Sequence, residues 1–81
     1  MDRMALMQDL VDDYRRVQLI KDDAQDVAAI YPTLIAYAIS VTAIKINFTR
    51  DELLAGINIG KYRVFADPND AGTPIKIKEL N

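Results

Sequence analysis

The sequence predicts an α+β domain: an N-terminal helical hairpin or kinked helix pair, a short capped helix, and a small antiparallel sheet ending in a β-hairpin. Three observations carry this. Apolar residues at Met7, Leu10, Val11, Tyr14, Val17 and Ile20 recur every three or four positions, the period of an amphipathic helix. The stretch FTRDEL (48–53) holds a helix-start signature. Two segments, 61–66 and 74–79, alternate apolar and charged residues on either side of the turn-forming DPNDAGT.

The first helix is expected over about residues 4–20, with Asp9, Asp12, Asp13, Arg15 and Arg16 on its wet side. Met4, Met7 and Leu10 carry the apolar stripe back towards the start. The spacing Tyr14, Val17, Ile20 is three and three, so the stripe rotates and the helix must bend or restart. Asp22 or Asp23 can cap a new start, with Gln25 or Asp26 three residues on.

A run of eighteen residues, 27–44, then carries no charge, although 27% of the chain is charged. Pro32 lacks an amide hydrogen and predicts a kink or fresh helix start at 31–33. The following LIAYAIS is apolar on all sides, the pattern of a helix buried all round. From Ile39 the residues become β-branched, and Ile44, Ile46 and Phe48 alternate with Lys45 and Asn47. The expectation is a helix to about 42 and a strand over 43–48, dividing the domain into a helical half (1–42) and a mixed half (43–81). Thr49 and Glu52 then form a capping box, and Phe48 and Leu53 a hydrophobic staple, so a short helix starts at Arg50 and ends at Gly56, with a further break at Gly60. Pro74 opens the last segment, as suits an edge strand.

Eighty-one residues make a single small domain with a thin core, a size at which oligomerisation commonly adds stability. With no cysteine and no histidine, disulfides, thiolate nucleophiles, imidazole bases and the usual zinc ligands are all excluded. Neighbouring carboxylates at Asp12 with Asp13, Asp22 with Asp23, and Asp51 with Glu52 diverge on a helix, so they do not make a proton-sharing dyad. Asp67, Asn69 and Gly72 match the first, third and sixth positions of a calcium loop, but Ala71 and Lys78 stand where ligands are needed. A helix-turn-helix over TRDELLAGI and GKYRVF is opposed by two close glycines and a strand-like second half. No catalytic, metal-ligating or cofactor-binding residue is expected, and the chain does not read as an enzyme.

Binding remains. Three short strands and one small helix cannot easily cover a helix that is apolar all round, so a homo-oligomer is expected, self-associating through Tyr31, Leu34, Tyr37 and Ile39. Net charge is unevenly spread: −3 over residues 1–43 (seven acids, four bases) and +1 over 44–81 (five acids, six bases). Outward strand positions would gather Lys61, Arg63, Phe65, Lys76 and Lys78, with Lys45 if its strand joins the sheet, on a face open to a second protein partner or, in the alternative reading, to nucleic acid. The leading expectation is therefore a non-enzymatic assembly or protein-binding module of bacterial or phage type, acting in the cytoplasm. A second alternative is a single-span membrane or virion coat protein, since 27–44 reaches the lower limit of a span and Lys45 and Arg50 follow it. This layout of acidic helix, apolar segment and basic end resembles that of filamentous-phage coat proteins in charge order, with some thirty residues added after it.

Overall fold

The computed structural model describes residues 2–22, 27–69 and 75–80. Its elements in chain order are α1 (Arg3–Asp22), α2 (Val27–Asn47), α3 (Arg50–Ala55), β1 (Ile57–Ile59), β2 (Tyr62–Phe65) and β3 (Lys76–Glu79). The fold is α+β: two long helices followed by a three-stranded antiparallel sheet in the order β1-β2-β3.

The two long helices run antiparallel, because contacts pair the start of α1 with the end of α2. The Arg3 guanidinium lies 4.3 Å from the Phe48 ring centre just beyond α2, and further along, the Ser40 hydroxyl donates to Asp13 Oδ2 at 2.5 Å. Met7, Leu10 and Val11 of α1 join Ile44, Phe48, Leu53, Val64 and Ile75 in one buried cluster, with Ile57, Ile59, Tyr62 and Ile77 partly buried against it. The sheet thus packs on α1 and on the C-terminal end of α2.

Two expectations change at this level. Residues 43–47 are helix, the last turn and a half of α2, and residues 48–49 are the connection to α3; no strand forms over 43–48. In a strand Ile44, Ile46 and Phe48 would share a face, whereas here Ile44 and Phe48, four residues apart, are buried and Ile46 points to solvent. The Asn47 side chain donates to the Ala43 carbonyl at 2.8 Å within that last turn. Contact with Met7, Leu10 and Leu53 overrides the β-preference of isoleucine, which is a preference for a packed surface and not for an extended backbone. The helical half therefore extends to Asn47, and Lys45 belongs to a helix and not to the sheet. Helix α2 also continues through Pro32, so no fresh start occurs at 31–33. Asp22 ends α1; the expected caps at Asp23, Gln25 and Asp26 lie outside the described residues.

The capping box forms as expected: Glu52 N donates to Thr49 Oγ1 at 3.1 Å and Thr49 N to Glu52 Oε1 at 3.0 Å. Gly56 ends α3 with φ 88°. The strand β1 that follows was not anticipated, because three residues between two glycines give too short a run to reveal a period. It pairs with β2 across Gly60–Lys61, and Gly60, at φ 55°, occupies the first central position of that tight turn, where a positive φ favours glycine. The hairpin of β2 and β3 forms in the register Tyr62↔Glu79, Arg63↔Lys78, Val64↔Ile77 and Phe65↔Lys76. The linking residues 70–74, including Pro74, lie outside the described residues.

Two predictions follow from this packing. Asp13 is 7% exposed and its carboxylate is held by Ser40 and by Arg16 Nη1 at 2.8 Å. Ser40→Ala should cost about 1–3 kcal/mol in urea unfolding, the penalty for leaving one side of a buried carboxylate unpartnered. At the two glycines, Gly56→Ala should destabilise more than Gly60→Ala: both have positive φ, but Gly56 combines φ 88° with ψ 147°, a region all but closed to a residue with a Cβ, and an added Cβ would also displace the Arg63 guanidinium from its bond to the Ala55 carbonyl. Thermal melts of the two variants check the order.

Candidate self-association interface

Helix α2 has two different long faces. The residues turned inward, at Tyr37, Val41 and Ile44, pack into or against the core. On the other side, Ala28, Tyr31, Pro32, Ile35, Ala38, Ile39, Thr42 and Ile46 are all exposed. At 3.6 residues per turn these eight fall within about 60° of the line through Ile35, forming one stripe about 27 Å long. None carries a charge. The exposures are large for such residues: Tyr31 66%, Ile35 46%, Ile39 65% and Ile46 76%, with Leu34 at 39% on the stripe's flank.

The one hydroxyl in the middle of the stripe is already satisfied, since Thr42 Oγ1 donates to the Ala38 carbonyl at 3.0 Å. Burial of this face would leave no side-chain donor orphaned along its central length. Of the four expected self-association residues, Tyr31 and Ile39 lie in the stripe and Leu34 borders it. Tyr37 faces the other way and packs against the core, where burial and then the neighbouring Tyr14 raise its phenol pKa. Ile35 and Ile46 are the members that sequence reasoning passed over. Alternation sets Ile46 on one side of a strand with Ile44 and Phe48; reading residues 28–46 at helical spacing is the signal that finds both.

The sheet has the second expected surface. Register places Arg63, Phe65, Lys76 and Lys78 on its outer side, while Lys61 sits in the β1–β2 turn. Several of these cations are engaged within the chain. Arg63 Nη2 donates to the Ala55 carbonyl at 2.7 Å, capping the C-terminus of α3. Lys76 Nζ pairs with Asp67 Oδ2 at 3.0 Å and Lys61 Nζ with Glu79 Oε1 at 3.4 Å. Among the described residues, no group of three or more acids gathers in a way that could hold a metal ion.

Helix α2 is also long and apolar enough over residues 30–47 to cross a membrane. Comparison with protein-family models, with curated proteins and with solved structures finds no match to this chain.

At the opposite side of the domain, Arg3 ion-pairs with Glu52. The Thr49 amide and then Arg3 hold the Glu52 carboxyl below its usual 4.5. A depressed folded-state pKa contributes stability above the unfolded value and loses it as pH falls through the lower, folded one. Glu52→Gln, which can keep the capping geometry, should therefore flatten the loss of thermal stability between about pH 5 and pH 3 relative to the parent chain.

Proposed function

We propose that this chain is a non-enzymatic assembly module that self-associates through the outer face of α2. One observation carries the reading: an uncharged stripe runs the length of a 21-residue helix and is exposed from Ala28 to Ile46. Five large apolar side chains left in water expose on the order of 500 Å² together, at the upper end of what a monomer's largest patch shows. The stripe lies on the far side of α2 from the core, so burying it requires no rearrangement of the domain. Contacts centre on Tyr31, Leu34, Ile35, Ile39 and Ile46.

Soluble self-association accounts for the stripe better than a membrane span does. A span must satisfy all its faces in lipid, yet the inner face of α2 holds Ser40 against the ionisable Asp13, beside Arg16, on a helix with a charged outer side. Crossing a bilayer would carry α1 with it or break the core. The basic side of the sheet is the weaker candidate for nucleic acid, since Lys61, Arg63 and Lys76 direct donors to partners within the chain.

Size exclusion coupled to light scattering, without detergent, tests the reading. The parent chain is expected to run as a discrete dimer or larger assembly. Ile39→Glu should shift it to a monomer with its helical circular dichroism retained, because Ile39 contributes nothing to the core. A parent chain that is a clean monomer at high concentration, or that stays in solution only with detergent, would overturn it.

A further inference from the structure

Resting on that reading, we infer that the partner on the α2 stripe is a second copy of this chain lying antiparallel, with a two-fold axis crossing the middle of the stripe between about Ile35 and Ile39. Three features of the structure point to this occupant and this orientation.

The first is electrostatic. Lys45 is exposed beside the C-terminal end of the stripe, and Arg50 is exposed just beyond it. Parallel pairing about the stripe would bring Lys45 close to its own copy and align two helix dipoles side by side. Antiparallel pairing separates the lysines by most of the helix length, sets opposite dipole ends together, and carries each Lys45 towards the partner's Tyr31 ring, a cation–π acceptor.

The second is shape. The sheet and α3 pack against α1 and the C-terminal end of α2, while the N-terminal part of α2 pairs with α1 alone. Two copies placed parallel would set both sheet ends at one end of the stripe and both helical arms at the other. Placed antiparallel, each sheet end lies towards the arm of the other copy, which spreads the bulk of the two subunits evenly along a closed two-fold dimer.

The third is the stripe's own composition. Ala38, next to the axis, is small enough for close helix approach, and Thr42 presents its methyl because its hydroxyl is bonded inside the helix. Larger side chains, Tyr31 and Ile46, stand near the two ends, so antiparallel packing sets the aromatic at one end against the aliphatic at the other. With Ala28, Pro32, Ala38 and Thr42 filling between the large residues, the face approaches the ~800 Å² per partner of a standard interface.

The absence of native cysteine makes the test direct. The single-cysteine variant Ile46→Cys, at a 76% exposed position, would carry a nitroxide spin label, and Tyr31→Cys would do the same in a separate sample. Antiparallel pairing predicts a label separation at Ile46→Cys of about 25 Å along the axis, shorter for Tyr31→Cys, and disulfide cross-linking when the two unlabelled variants are mixed and oxidised. Label separations near the ~10 Å interaxial distance for both variants, with efficient cross-linking of each to itself and none in the mixed pair, would overturn the antiparallel arrangement while leaving self-association standing. A parent chain that scatters as a monomer, with no dipolar coupling in either labelled variant, would overturn the self-association reading and this inference with it.

Discussion

The constraint on which the structure depends is that α2 is apolar on both of its long faces, while the described residues cover only one. The inner face is taken by α1 and by the edge of a small sheet, and Ile44 and Phe48 anchor it to Met7, Leu10, Leu53 and Val64. Among the described residues, nothing lies over the outer face, where Tyr31, Ile35, Ile39 and Ile46 stay exposed.

The polar bond between Asp13 and Ser40 has a particular place in this arrangement. Apolar side chains alone could slide past one another by a turn, because a Leu or Val contact is tolerant of register. A buried carboxylate that must meet one hydroxyl is not. By holding α1 and α2 in one register, this bond also determines which residues of α2 turn outward, and so links the core to the exposed stripe. At the other end of the domain the capping box, the Arg3–Glu52 ion pair and the Arg63 cap on Ala55 secure the short α3 between the helical hairpin and the sheet. The basic residues of that region are thus partly structural, which lowers the charge the sheet presents to any partner.

Much of the fold was legible because local signals were strong and agreed with each other. The stripe Met7, Leu10, Val11, Val17 gave α1, the Thr49 to Glu52 box gave the start of α3, Gly56 its end, and the alternation at 61–66 and 74–79 gave β2 and β3. The errors fell where local preference and tertiary contact disagree. Ile44, Ile46 and Phe48 fit a strand by alternation and a helix by their true partners, and a single sequence holds no term for Met7 lying opposite Ile44. The same misreading hid Ile46 from the candidate surface; Tyr37 entered it for another reason, since a helix apolar on all sides gives no sign of which side faces the core.

By itself, then, the sequence determined the class of fold, the absence of cysteine and histidine chemistry, the ends of α3, and the presence of a helix apolar on more than one side. Those are properties of residue type and short-range spacing. Only the tertiary structure decided which side of that helix is used inside the domain, because helical phase is set by where α1 and the sheet dock and not by any residue of α2 alone. The result is that Tyr37 and Ile44 became core, and Tyr31, Ile35, Ile39 and Ile46 were left facing water.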